Sequence, residues 1–436
     1  MKKFLFTYLF VTMALTSIGQ FIPQPLNYPG TGYWPYFYSI VDPDHVWIGT
    51  IMEDGSGYSS AVKTIDGGNS WLFCPIPVPG VPWCSSLCAW DTNICYFVFV
   101  NNGIPFGSSI WKTTDGGTTW TNMTTDQFAG GYANFFHAFS ADTGMAMGDP
   151  TSGYFEIQLT NDGGNTWSRV PSANIPVPLS GEYGLSDDYS AVGNTVWFVT
   201  NKGRCFKSTD RGQTWNVTQV VTGPDWDNLI CFASQQNGVF WKGGTTELFV
   251  TTDGGDVWDA APFPSGYSLI HICPVKGFDG GFIITAFTNF ITVFFTPDMF
   301  TTLIKLDSNL LSNGSVSFFD ATTGWLAGGE SGTDEIYKFN GVLTSVREVV
   351  NDPGKLSVVP NPSSGEALLI LPGSLDSKSI QLRIIDMTGK AVEQRTIVSS
   401  AGWVSLKSAG YSNGIYIIEL LKENRIFARE RWIVKH

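Results

Sequence analysis

The side chains of this sequence that could do chemistry are few and scattered. Five aspartates recur in one octad, Thr/Ser-x-Asp-x-Gly-x-(Thr/Ser/Val)-Trp: Asp66, Asp115, Asp162, Asp210 and Asp253. Five copies of one constellation cannot converge on a single reacting atom, so these carboxylates read as turn-builders rather than catalysts. The four histidines, His45, His137, His271 and His436, are too dispersed for a zinc site or a Ser-His-Asp arrangement. No Gly-rich loop runs from a strand into a helix to cradle a phosphate. Outside the octads, Asp149, Glu182, Asp225 and Asp227 could supply the acid and base of glycoside hydrolysis, although no spacing singles out a pair. Near them stand aromatics able to stack on a sugar ring or grip a peptide: Trp83, Tyr132, Tyr183, Trp226 and Tyr267. Nothing in the sequence calls for a cofactor or a metal ion.

The elements that must position these residues follow from the octad spacing. Successive octad aspartates lie 49, 47, 48 and 43 residues apart, and a degraded sixth copy keeps Thr296, Asp298 and Thr302. A period of about 45 residues belongs to four-stranded propeller blades. Asp-x-Gly between β-rich runs is a hairpin signal, and the Asp can close the turn by accepting N–H groups one and two residues on. The Trp then covers the hairpin and needs one partner for its own N–H. Seven units can be counted, beginning near Phe37, Ser86, Phe135, Leu185, Leu229, Leu269 and Val316. The sequence therefore predicts an all-β chain with a seven-bladed β-propeller over residues 20–345. Ring closure should take one strand from a terminus, either Phe21 to Leu26 or Val342 to Val346. Octad turns then share one face with the first-to-second-strand turns. The opposite face carries the blade-to-blade crossovers, where Trp83, Tyr132, Tyr183, Trp226 and Tyr267 fall.

Composition narrows the partners. Residues 21–345 hold 29 acidic and 11 basic side chains, a net −18, whereas residues 346–436 hold 9 acidic and 12 basic, a net +3. So acidic a propeller is a poor partner for nucleic acid or anionic lipid. Lys2 and Lys3 followed by the apolar stretch Phe4 to Leu15 read as a signal peptide over residues 1–19, too short for a comfortable membrane span. Export permits disulfides, yet three of the seven cysteines, Cys88, Cys231 and Cys273, fall at the same place in a first strand. Buried thiols, with at most one or two disulfides, are expected.

After Val346 the pattern changes. A linker over 346–355 precedes alternating segments such as Ile380-Gln-Leu-Arg-Ile-Ile-Asp386-Met-Thr-Gly389-Lys390 and Gly414-Ile-Tyr416-Ile-Ile, which predict a small Ig-like antiparallel β-sandwich over 356–436. Pro360-Asn361-Pro362, the Asp386-x-x-Gly389-Lys390 turn, the Asn413-Gly-Ile-Tyr416 strand and the basic-apolar end Arg431 to His436 resemble, in order, the C-terminal sorting domain of the type IX secretion system of Bacteroidetes. That resemblance implies passage through the periplasm, contact with the secretion machinery, and release or attachment at the outer-membrane surface, with no catalytic role for the domain. The octads resemble the Asp box (BNR repeat) of sialidase-like propellers. The stretch Met145-Ala-Met-Gly148-Asp149-Pro150 resembles propellers that are sialidase-like or photosystem II assembly factor-like. A sialidase would need three converging arginines. The propeller has only Arg169, Arg204 and Arg211, and Arg211 lies within an octad. The reading that follows is a secreted or surface-displayed module that binds a glycan or a protein. The alternatives are glycoside hydrolysis by loop-face carboxylates and a structural role in envelope assembly.

Overall fold

A computed structural model describes residues 20–26, 33–52, 60–80, 82–101, 107–223, 227–312, 314–327, 335–344, 356–359, 361, 363–371, 380–397, 403–422 and 425–436. The proposed signal peptide (1–19), the proposed linker (346–355), Asp225 and Trp226 lie outside the described residues. The chain divides into two compact units, Met1–Ser345 and Val346–His436.

The first unit is a ring of seven four-stranded antiparallel sheets. Six blades run in chain order, from Tyr33–Ile40 in blade 1 to Ile304–Leu310 in blade 6. Inner strands are covered on both faces and so read as continuous apolar runs. In Cys95–Asn101, the second strand of blade 2, six consecutive residues are buried. Outer strands such as Asn216–Gln219 are polar and partly exposed.

Each octad locks its hairpin with the same hydrogen bonds. The Thr64 hydroxyl accepts the Gly68 N–H at 2.8 Å, while Asp66 accepts the N–H and hydroxyl of Ser70 at 2.8 and 2.6 Å. The other four octads repeat the backbone bonds, three of them with the hydroxyl bond as well while Val257 stands in its place in the fifth, and the degraded copy keeps its backbone bonds through Thr296 and Asp298. The aspartate therefore reaches four residues on, not one and two, and the Thr or Ser hydroxyl takes over the nearer N–H. These donors hold the Asp66 and Asp115 carboxyls down to about 2, led by the hydroxyls of Ser70 and Thr119. The residue after the Asp is left-handed, so glycine suits it, yet Arg211 holds φ 62° there. Trp215 and Trp258 donate to the carbonyls of Gly212 and Gly255, but Trp71 and Trp120 bury their N–H groups without an acceptor among the described residues.

Octad turns also join neighbouring blades. The second-strand Trp197 stacks on Phe232 of blade 5 at 3.8 Å and donates to Gly254 O in that blade's octad. Lys112 of blade 2 donates to Gly163 O in the octad of blade 3, and Lys338 of blade 7 donates to Gly67 O in that of blade 1. Octad turns and first-to-second turns lie together, as the bonds from Gly67 N to Asp44 O and Gly163 N to Asp142 O show. All seven cysteines are buried, and no disulfide forms among them.

The ring closes in blade 7. Its three strands, Val316–Phe318, Gly324–Ala327 and Glu335–Phe339, are completed by Phe21–Pro25, with Phe21 opposite Phe339 and Pro25 opposite Glu335. Of the two termini that could close it, the N-terminal one does so. Phe21 is buried against Phe339 at 5.5 Å and Phe318 at 6.3 Å.

The second unit has a three-stranded sheet (Ser357–Val359, Glu366–Ile370, Trp403–Lys407) and a four-stranded one (Ala391–Ile397, Ile380–Asp386, Gly414–Lys422, Arg425–Val434). Alternate residues such as Leu369, Leu382, Ile384, Ile418 and Leu420 fill one core. Trp432 sits fully buried in it and donates to the Ser363 hydroxyl at 2.6 Å.

Closure by Phe21–Pro25 makes a direct prediction. Phe21→Ala removes a buried aromatic that joins first strand to last, and should destabilise the propeller by about 3–5 kcal/mol. Denaturant unfolding of the full chain measures this, and an unchanged midpoint would contradict the closure.

Candidate functional site

First strands of all seven blades line the central channel. A cavity of about 550 Å³ touches each of them, including Tyr38, Cys88, His137, Tyr189, His271 and Ser317. In blades 1, 2, 3 and 6 the first strand carries a bulge of one extra residue, as between Ala133 and Phe135. Blade 4 departs from this. Gly184 pairs with Thr200 and Tyr189 with Phe198, so the four residues 185–188 stand opposite Val199 alone. Asp187 adopts φ 60°, a strained conformation for a residue with a side chain.

The bulge pushes two adjacent carboxylates into the channel. The Ser86 hydroxyl, from blade 2, donates to Asp187 at 2.6 Å, so the segment reaches past blade 3. Asp188 borders the 550 Å³ cavity and two further cavities of about 410 and 500 Å³. Burial lifts the Asp187 carboxyl to about 7, against the pull of Ser86 and the Leu87 N–H. Burial also lifts Asp188 well above the usual carboxylate range, and the charges of Asp187 and Asp227 add to it. Asp188 is partly buried, with side-chain surface still open to the channel.

The 500 Å³ cavity gathers four of the sequence candidates: Tyr132, Asp149, Tyr183 and Asp227. Tyr36, Asn134, Gly184, Leu185, Ser186 and Asp188 line the rest of it. Asp149 accepts from the Asn134 amide at 2.8 Å and the Gly184 N–H at 3.0 Å, and burial still lifts its carboxyl to about 6. Tyr132 shares a 3.0 Å hydrogen bond with Ser186 of the bulge. Tyr36 is about half exposed, with its ring edge-on to Phe37 at 4.9 Å.

Other candidates are placed elsewhere. Glu182 is buried and fully engaged by the Arg204 guanidinium, the Thr200 hydroxyl at 2.6 Å and the Leu179 N–H at 2.7 Å, so it clamps a crossover. Tyr267 packs edge-on against Phe294 at 5.2 Å within the core of blades 5 and 6. Trp83 is exposed at the start of blade 2 and borders none of the three cavities. The three arginines do not converge: Arg169 donates to Thr151, Arg204 holds Glu182, and Arg211 donates to Asn194 beside its octad. Among the described residues no group of three or more metal-ligating side chains forms. Sequence reasoning passed over Tyr36, Asp187 and Asp188. The signal available was a pair of adjacent acids in a first strand, where blade 3 has Phe135-Phe136 and blade 2 has Leu87-Cys88.

Raised carboxyls make the folded state hold protons that the unfolded chain has released. Below about pH 4 these groups are neutral in both states and cost nothing. Between about pH 4 and the raised values of about 6 and 7, Asp149 and Asp187 stay protonated in the channel while the unfolded chain ionises, so stability falls across that window and levels off above it. Asp188→Asn removes one such charge without leaving a donor unpaired. It should raise the thermal midpoint at pH 8 and change it little at pH 4. A lower midpoint at pH 8 would show that the Asp188 charge is compensated.

Comparison with known proteins agrees with this architecture. Residues 357–435 match the model of the secretion system C-terminal sorting domain, and residues 95–223 match that of the photosynthesis system II assembly factor YCF48. A structure of YCF48 bound to D1 peptide superposes with a TM-score of 0.54 at 15% identity, over 74% of this chain and 96% of that one. YCF48 from Cyanidioschyzon merolae gives 0.53 at 14% identity, over 73% and 98%. By sequence, the xyloglucanase Xgh74A of Acetivibrio thermocellus is 24% identical over 266 residues, 50% of this chain and 31% of that protein. A xyloglucanase of Hypocrea jecorina is 25% identical over 171 residues, 37% of this chain and 18% of that protein. The chain thus spans about a third or less of these relatives. The sorting domain indicates export to the cell surface or secretion. The chain thus joins a β-propeller with BNR-type repeats, similar to YCF48, to a C-terminal sorting domain of the type IX secretion system.

Proposed function

We propose that the propeller is an exported glycan-binding module whose ligand enters the 500 Å³ cavity on the crossover side of the channel. The observation that carries this is the convergence there of Tyr36, Tyr132 and Tyr183 with Asp149, Asp188 and Asp227. Tyrosine rings offer apolar faces to sugar rings, and carboxylates accept from their hydroxyls. The distant likeness to xyloglucanases makes a β-linked glucan the first ligand class to examine.

Hydrolysis is the second reading, and one observation favours it. Asp149 is held near 6, where a carboxylic acid can still donate a proton to a leaving oxygen. Asp227 or Asp188 would then activate water from across the cavity. In this reading Asp149 is the general acid, and the tyrosines fix the sugar ring.

Calorimetry of the full chain with xyloglucan oligosaccharides, alongside a reducing-sugar assay, separates the readings. Tyr183→Ala should weaken binding by about 5- to 10-fold through the lost ring face. Binding without sugar release supports the module. Sugar release that Asp149→Asn abolishes would establish the hydrolase, and absence of any glycan binding would sink both.

A further inference from the structure

We propose that the glycan does not stop in the crossover-side cavity but runs on along the channel axis to a second ring platform, Trp90, at the octad mouth, so that the ligand is an extended oligosaccharide. This rests on the glycan-binding reading and adds the length of chain that the site takes.

The 550 Å³ chamber is the path. It shares Tyr36 and Asp188 with the crossover-side cavity, and its wall continues along the first strands to Val41, Trp90 and Pro274. Tyr36 to Val41 covers about 17 Å of strand, more than a single sugar ring fills. Trp90 stands just before the turn whose Asn93 carbonyl accepts the Gly116 N–H of the octad. It therefore marks the mouth opposite the tyrosines.

Trp90 is an indole that the fold does not use. Its backbone N–H donates to Ile94 O at 2.9 Å, as that of Phe139 does to Thr143 O and that of Phe319 to Thr323 O, so the three hold one position in their blades. The other two rings are covered. Arg211 lies over Phe139 at 5.7 Å, and Lys276 lies over Phe319 at 4.7 Å. Trp90 is 42% exposed, and among the described residues neither a ring nor a cation packs on it. Asp91 builds the turn beside it by accepting the N–H groups of Asn93 and Ile94, both at 2.7 Å. A flat apolar face left open in a channel wall suits the C–H face of a sugar ring.

Between the two mouths the wall offers hydroxyls. Ser39 Oγ accepts the Ala89 N–H at 2.9 Å, and Ser190 Oγ accepts the Phe232 N–H at 3.0 Å. Both serines border the chamber and are partly exposed, and neither hydroxyl proton has an acceptor among the described residues. Each is left to donate to a ligand oxygen. Ala89, Ala138 and Ile272 set apolar surface beside them. Hydroxyl donors interleaved with carbon match the polar edge and apolar face of a neutral sugar.

Calorimetry of the full chain with β-1,4-linked glucose oligomers of two, four and six units tests the path. Affinity should rise about 5- to 10-fold from dimer to hexamer as the chain reaches the second ring. Trp90→Ala should strip the hexamer of that gain and leave the dimer unchanged, whereas Tyr183→Ala should weaken every length. Should Trp90→Ala melt below wild type, Trp90→Phe, which keeps a ring, carries the test by retaining most of the gain. Affinity that does not rise beyond the dimer, or a Trp90→Ala variant that binds all lengths as wild type does or weakens all of them equally, overturns the axial path and leaves glycan binding standing. So does binding of xyloglucan oligosaccharides with none of the glucose oligomers. No binding of either set overturns both readings.

Discussion

Everything in the propeller depends on the octad hairpin being locked in one geometry. A hydroxyl from Thr or Ser and a carboxylate from Asp satisfy the turn from within, so five of the seven blades share the same rigid corner. That corner is also the neighbour's anchor. Trp197 and Lys112 each reach a carbonyl in the following blade's octad, and Lys338 does so across the closure from blade 7 to blade 1. The ring closes where the N-terminal strand completes blade 7. A ring closed in this way leaves only short outer edges, such as Thr121–Asn122 and Asn216–Gln219.

The same device explains the electrostatics of the channel. With 11 basic side chains between residues 21 and 345, those drawn to octad turns on one face are lost to the other. The crossover side is left acidic. Three extra residues in blade 4 then place Asp187 and Asp188 beside cavities that no lysine or arginine among the described residues lines. The strained φ of Asp187 and the lifted carboxyls are costs that folding alone does not require. Such costs gather at sites shaped for a ligand.

Much of the fold was legible from local rules. The octad spacing set the repeat, the strand count gave seven units, and the first-strand cysteines marked buried positions. Part of the cavity was legible too, because Tyr132, Tyr183, Asp149 and Asp227 fall in or beside crossovers, which must lie opposite the octads. The aspartate pair was not, because its position depends on how many residues a bulge absorbs. Periodicity averages over that length, and only the pairing of Gly184 with Thr200 and Tyr189 with Phe198 reveals it. Glu182 was misleading for a related reason. Its crossover position suggested chemistry, but the Arg204 that occupies it comes from the third strand of the same blade, 22 residues on.

The central claim is that the acidic, tyrosine-lined end of the channel is where the ligand sits. A crystal structure of the full chain grown with a xyloglucan oligosaccharide tests it most directly. The account predicts sugar density between Tyr36, Tyr183 and Asp149. Sugar bound on the octad face or an outer strand, with the channel empty, would contradict it.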